Sequence, residues 1–400
     1  MLDDIAELRM RLCGIVIFED VMHTPVMLSL TEYLACRSAD DLYGAASAYA
    51  KLVRGLCRDN VTLSEYIYRC VIGSDNIFIR RYFDGGDSAA EPLYEQLRYE
   101  LLFLAELPEM LSATLDVIDA VPFPEISGER IDLLEEYRKF LTCAAQRGVG
   151  LFASFAMFVC DADGDIIPVD EQAPVALSSL VGYERERGKI IKNTEALLHG
   201  KPACDILLYG DAGTGKSTTV KAVASELACD GLRLIEVPKD NLSQIPKILR
   251  RISAEPLKFI IFIDDLSFSS DDMGFCTLKT VLEGGAGVSR NNSVIYVTSN
   301  HRHLVKETKG DRAGEEINIR DNLQGMIGLS ARFGLTVTFL APDRALYLDI
   351  VRSLLEESGI PFTDAEAAAA EAYALRKNGR TPRLARQFAS LRASGIDPIK

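Results

Sequence analysis

The chain has 400 residues, too many for one ordinary core, and its 48% hydrophobic and 26% charged content excludes wholesale disorder. It carries 44 Lys and Arg against 58 Asp and Glu, a formal charge of −14, so bulk attraction to a nucleic-acid backbone is excluded as its binding principle. Nine cysteines fall singly, the start Met1-Leu2-Asp3-Asp4 is acidic where a secretory signal is basic, and the longest nearly uncharged apolar run, Gly148 to Cys160, is shorter than the roughly 20 residues of a membrane helix. The expectation is a cytoplasmic protein without a membrane segment.

Up to about residue 145 the pattern is helical. Leu101, Leu102, Leu104 and Ala105 open one run, and Leu133, Leu134, Tyr137 and Leu141 make an apolar stripe in another. Gly85-Gly86-Asp87 and Pro122-Phe123-Pro124 signal loops between such runs. An apolar run from Leu151 to Val159, the turn Asp161-Ala162-Asp163-Gly164-Asp165 and Ile166-Ile167-Pro168-Val169 then read as a hairpin. The aspartates do not form a calcium loop, because Ile166 stands where that loop's sharp turn needs glycine. Residues 1–170 are therefore expected to be a mainly helical N-terminal domain with a short β-hairpin. No catalytic motif marks it, and by default it binds a target or partner.

From Leu177 the grammar becomes strand then helix. Strands are expected at Asp205–Tyr209, Leu232–Val237, Phe259–Ile263, Val294–Val297 and Leu335–Phe339. Helices are expected at Lys216–Leu227 and Leu242–Ile252, and one that includes Leu278–Leu282. Near-continuous apolar strands alternating with helices predict an α/β domain, residues 175–341, with a parallel five-stranded sheet covered on both faces. After Pro342 the strands stop, and amphipathic helices near 343–357, 364–377 and 382–393 make a C-terminal helical lid of residues 342–400. His301 and His303 bracket Arg302 but lack a carboxylate or cysteine partner at ligand spacing, so they read as loop residues.

Gly210-Asp211-Ala212-Gly213-Thr214-Gly215-Lys216-Ser217 fits the phosphate-loop pattern and lies between an expected strand and an expected helix. Its glycines let backbone N–H groups turn toward phosphates at the positive end of the following helix, where Thr218 continues the cradle. Lys216 then reaches the β- and γ-phosphates, and the Ser217 hydroxyl ligates Mg²⁺. The apolar strand Phe259 to Ile263 ends in Asp264-Asp265. A strand buried on both faces carries acids only at its tip, where the ligand crevice opens. Asp264 is expected to support Mg²⁺, and Asp265 to orient or deprotonate the attacking water.

Further segments resemble the AAA+ class of P-loop ATPases over about residues 175–395. Tyr296-Val297-Thr298-Ser299-Asn300 is similar to that class's polar sensor strand, which implies that Asn300 contacts the γ-phosphate and the water. Leu329-Ser330-Ala331-Arg332-Phe333-Gly334-Leu335 resembles its arginine-finger segment, and implies a ring or partial ring of copies in which Arg332 acts in trans. Gly379-Arg380-Thr381-Pro382-Arg383-Leu384-Ala385-Arg386 is similar to its second sensor, with Arg383 over the γ-phosphate. Gly182-Tyr183-Glu184 looks like the lead-in segment that packs against adenine, which makes ATP the expected nucleotide. A closer resemblance, carried by Leu180 to Glu184, Asp264 to Phe268, Leu282 to Gly285, Thr298 to Leu304 and Ala331 to Leu335, is to an uncharacterised bacterial family of predicted AAA+ ATPases.

One departure bears on rate. The AAA+ motors commonly place glutamate after the metal-supporting aspartate, and here the residue is Asp265, so hydrolysis is expected to be slow or assisted by another acid such as Glu283. The leading expectation is an ATPase that couples hydrolysis to remodelling or regulating a macromolecule. A protein target is favoured over nucleic acid despite the small basic cluster Lys247, Arg250, Arg251 and Lys258. The alternatives are a nucleotide-dependent scaffold with negligible hydrolysis and a P-loop small-molecule kinase. The charged loop Lys306 to Arg320 reads as a solvated insertion.

Overall fold

The computed structural model describes residues 2–114, 126–169, 175–266, 273–284, 290–300, 329–377 and 379–398, in two compact units, Met1–Ser154 and Phe155–Lys400. Pro122-Phe123-Pro124, Ser267-Phe268, Gly285, His301 to Leu304 and the 306–320 loop lie outside the described residues.

The first unit is helical: α1 (Leu2–Cys13), α2 (Glu19–Met22), α3 (Pro25–Ser38), α4 (Leu42–Asp59), α5 (Leu63–Gly73), α6 (Ile77–Ala90), α7 (Tyr94–Thr114), α8 (Leu133–Arg147) and α9 (Leu151–Ser154). Side-chain caps start several of them. Asp41, Asn76 and Asp132 each accept a backbone N–H, and Thr62 and Glu65 form a reciprocal capping box. Buried Leu30, Tyr33, Leu34, Tyr49, Leu52, Phe103 and Tyr137 fill one continuous core. Within it Glu100 is fully buried, yet it accepts the N–H groups of Val16, Ile17 and Phe18 at 2.8–3.1 Å and the Gln96 amide at 2.6 Å. Donors on both carboxylate oxygens offset the cost of burying the group at the start of α2. The expected loop at Gly85-Gly86 is a kink inside α6, with Gly86 at φ +64°. The backbone is non-helical at both glycines, with Gly85 at φ −156°, so they interrupt the helix as the loop signal predicts.

The second unit holds, among the described residues, one seven-stranded sheet: β1 (Met157–Cys160), β2 (Ile166–Pro168), β3 (Ile206–Gly210), β4 (Leu232–Glu236), β5 (Lys258–Ile263), β6 (Ser293–Ser299) and β7 (Leu335–Phe339), in spatial order β2-β1-β4-β5-β6-β3-β7. Helices α10 (Glu184–Leu198), α11 (Lys216–Glu226), α12 (Ile245–Ile252) and α13 (Met273–Leu282) alternate with the strands. The sheet has seven strands where five were expected: the five expected strands run parallel side by side as β4-β5-β6-β3-β7, with β7 at one edge. The hairpin forms, but it belongs to this sheet and not to the helical unit, because β1 pairs in parallel with β4, Met157 opposite Leu234. An isolated two-stranded hairpin is marginal in water, whereas docking on β4 buries Met157 and Phe158 and covers an open sheet edge. Its aspartate turn carries Lys247, whose Nζ donates to Asp165 Oδ1 at 2.9 Å and to the Asp163 carbonyl at 2.6 Å. That contact absorbs one member of the basic cluster.

All seven residues of β6 are buried and five of six in β5, so charged groups sit at the strand tips. The chain leaves β3, crosses over β6 and β5 to enter β4, and returns, opening a crevice at the C-terminal strand ends. The lid is α14 (Arg344–Glu357), α15 (Asp364–Arg376) and α16 (Pro382–Ala393), packed on its own core of Tyr347, Val351, Leu355, Ala370, Tyr373 and Phe388. Asp343, Thr363 and Thr381 cap its three helices. No helix among the described residues is long and apolar enough to cross a membrane.

Candidate functional site

The turn from β3 into α11 requires glycine for a steric reason. Gly210 has φ +143°, and a Cβ there would stand 1.9 Å from the Phe339 carbonyl oxygen of β7. Gly213 has φ +77° and comes against Thr381 and Arg383 of the lid, with the Arg383 N–H donating to its carbonyl at 3.2 Å. The cradle is therefore closed from above by the N-terminus of α16. Asp211 ties it from the side, its N–H bonded to Phe339 O at 3.1 Å and its carboxylate accepting the Ala341 N–H at 2.7 Å.

Lys216 is buried, and its Nζ donates to the carbonyls of Gly210 and Asp211 at 2.8 and 2.9 Å and to Asn300 Oδ1 at 3.0 Å. Burial holds its pKa below the ordinary lysine value, against the pull of Asp265, Asp211 and Asp264. The Asn300 amide bridges onward, its Nδ2 donating to Asp265 Oδ1 at 2.7 Å. Asp264 Oδ1 accepts Ser217 Oγ and Thr298 Oγ1, both at 2.5 Å. Asp265 adopts φ +48°, an uncommon left-handed conformation for a non-glycine residue. It is held there by its N–H bond to Thr298 Oγ1 at 2.8 Å. Three segments distant in sequence, 210–217, 264–265 and 298–300, thus converge on one interlocked polar cluster.

Above it lies a cavity of about 1030 Å³ bordered by Ala212 to Thr218, Asp264, Asp265, Thr298 and Asn300 from the sheet domain. From the lid come Tyr373, Arg383, Arg386, Gln387 and Ser390. A smaller recess adjoins it, walled by Leu180, Val181, Tyr183, Ile350, Leu354 and Pro382, with Thr214 and Gly215 at its base. Tyr183 donates its hydroxyl to Leu340 O at 2.6 Å and packs 5.2 Å from Phe339, and burial pushes its pKa up to about 12. Arg187, one turn into α10, also borders the recess and pairs with Glu184 at 3.4 Å. Burial lowers its pKa.

The structure brings Lys216, Ser217, Thr218, Asp264, Asp265, Asn300 and Arg383 to one cavity. It sets Gly210 and Asp211 behind it, and Gly182 and Tyr183 beside its recess. Arg332 is not brought there. Its Nη1 pairs with Glu283 Oε1 at 2.5 Å, with 34% and 39% of the two side chains exposed, and neither residue is among those bordering the cavity. Glu283, expected as an assisting acid, is thus engaged elsewhere. Sequence reasoning gave no role to Thr298, Arg386, Tyr373 or the apolar wall of Ile350 and Leu354. Thr298 and Arg386 were signalled by spacing: Thr298, near the end of β6, lies two residues before Asn300 just past it, and Arg386 lies three after Arg383 on a helix. The recess had no local signal, because its walls come from segments over 160 residues apart.

A largely parallel sheet with a glycine-rich turn between β3 and α11, paired acids at the tip of β5 one strand removed from β3, polar Thr298 and Asn300 at the end of the intervening β6, and a helical lid define an AAA+ P-loop module. The chain belongs to the family described as Protein of unknown function (DUF815), whose model matches residues 153–395. Among curated proteins it is 26% identical over 200 residues to the 26S proteasome regulatory subunit 4 homolog of Dictyostelium discoideum, covering 45% of each chain. It is 26% identical over 186 residues to the replication factor C large subunit of Pyrococcus horikoshii, covering 43% of this chain and 38% of that one. The match thus spans less than half the length of these relatives. Solved structures similar to it include the Thermotoga maritima RuvB Holliday junction branch migration motor, at 16% identity and TM-score 0.38 over 57% of this chain and 68% of that one. AMPPCP-bound DnaA from Aquifex aeolicus is similar at 16% identity and TM-score 0.39 over 57% and 69%.

Proposed function

We propose that the chain binds ATP with Mg²⁺ in the cavity between sheet and lid, hydrolyses it, and uses the resulting lid movement to remodel a protein target held by the helical unit. The observation that carries this is the convergence of Lys216, Asp264, Asp265, Asn300 and Arg383 on one cavity of about 1030 Å³. In this reading Lys216 leaves the Gly210 and Asp211 carbonyls for the β- and γ-phosphates, and the N–H groups of Gly213 to Ser217 turn to the same oxygens. The recess of Leu180, Val181, Tyr183, Ile350 and Leu354 supplies apolar walls for the adenine ring.

Ser217 Oγ and Asp264 Oδ1 are two oxygen donors 2.5 Å apart beside the cradle, a set suited to a hard cation. Bound by them, Mg²⁺ would neutralise charge on the phosphate oxygens. Asp265 holds and deprotonates the attacking water, and Asn300 fixes that carboxylate through the bond it already makes. Arg332 leaves Glu283 to reach the γ-phosphate of a neighbouring copy. An exposed ion pair contributes only about 0–1 kcal/mol, so releasing it costs little. A nucleotide-dependent scaffold is the second reading, favoured by the short Asp265 side chain already committed to Asn300. Single-turnover phosphate release from ATP and Mg²⁺ separates the two. Release that disappears in Asp264→Asn supports the ATPase, and its absence from wild-type protein supports the scaffold.

A further inference from the structure

Two guanidinium groups of α16 border the cavity, and the reading above uses only Arg383. Arg386 borders both the cavity and the apolar recess, as do Leu180, Thr214, Gly215 and Pro382, whereas Arg383 borders the cavity alone. Arg386 therefore stands at the junction between the place for a base and the place for phosphates. Elsewhere in the lid, arginines are ion-paired: Arg344 with Glu371, Arg352 with Asp349 and Arg392 with Glu366. No carboxylate or other acceptor partners the Arg386 side chain among the described residues. Residues three apart on a helix have Cβ atoms about 5–6 Å apart, a spacing comparable to the run of a triphosphate from its first to its last phosphorus.

We propose that Arg386 binds the α-phosphate of the nucleotide, while Arg383 meets only the terminal phosphate of a triphosphate. The inference rests on the nucleotide reading of the cradle and adds a division of labour within the lid. Arg386 is engaged by nucleoside diphosphates and triphosphates alike, so the lid stays drawn to the cradle after the terminal phosphate departs. Arg383 alone reports whether that phosphate is present. A planar five-donor guanidinium suits this task, since it bridges phosphate oxygens without needing a fixed counter-carboxylate.

The test is calorimetric titration of the full chain, with Mg²⁺, by ADP and by a non-hydrolysable ATP analogue, for wild type, Arg383→Ala and Arg386→Ala. Arg386→Ala is expected to weaken both ligands by the same factor, about tenfold or more, as for loss of a charge-assisted hydrogen bond. Arg383→Ala is expected to weaken the analogue and leave ADP within about twofold. Arg386→Gln keeps the helical stem and gives the same comparison where the alanine variant does not fold. Unchanged ADP affinity in the Arg386 variants, or loss confined to the analogue, overturns the inference while the cradle reading stands. Wild-type protein that binds neither ligand overturns the cradle reading, and the role of Arg386 with it.

Discussion

Arg332 and the pair Arg383 and Arg386 show two uses of arginine within one unit. Arg332 has an anion in its own chain, Glu283 at 2.5 Å, and both side chains keep about a third of their surface in water. Arg383 and Arg386 have no carboxylate partner among the described residues and border a cavity that also holds a buried lysine. The lid pair is arranged for an anion that arrives from outside, whereas Arg332 is parked on a contact weak enough to exchange. On this account the lid arginines govern binding within one copy, and Arg332 governs turnover between copies.

Three substitutions probe that contrast, from the largest effect to the smallest. Arg332→Ala should lower the rate of phosphate release by about 10³-fold while leaving nucleotide affinity within about twofold. Mixing it with Lys216→Ala protein should restore activity, because each variant supplies what the other lacks. A defect in affinity, or no recovery on mixing, would place Arg332 outside the proposed role. Asn300→Ala removes both the bond to Asp265 and the bond to Lys216, and should lower single-turnover hydrolysis by about 10²-fold with affinity changed much less. Equal losses in rate and affinity would mean that Asn300 serves binding alone. Glu283→Ala, which frees Arg332, should change unfolding stability by about 1 kcal/mol or less in urea denaturation. A loss of several kcal/mol would make the pair structural and remove the case for exchange.

The cradle was legible because its chemistry is local: glycines at fixed spacing, then Lys216 and Ser217, between an apolar run and a helix. The two aspartates were legible because a strand buried on both faces admits charge only at its end. What escaped was non-local. The hairpin's membership of the sheet depends on Met157 meeting Leu234, a pairing that alternation within residues 151–169 does not encode. Arg386 carried the right spacing, yet only the fold places it between recess and cradle. The Glu283 contact of Arg332 likewise joins segments 49 positions apart in number, too far for any local pattern to announce.

The central claim is that Lys216 holds a nucleotide's phosphates in the loop that runs from Gly210 to Ser217. Equilibrium titration of the intact chain with ATP and Mg²⁺, beside Lys216→Ala of matched thermal stability, tests it most directly. Saturable binding by wild type, weakened about a hundredfold or more in the variant, is the predicted result. Equal affinity in the two proteins, or no binding by wild type at millimolar nucleotide, would contradict it.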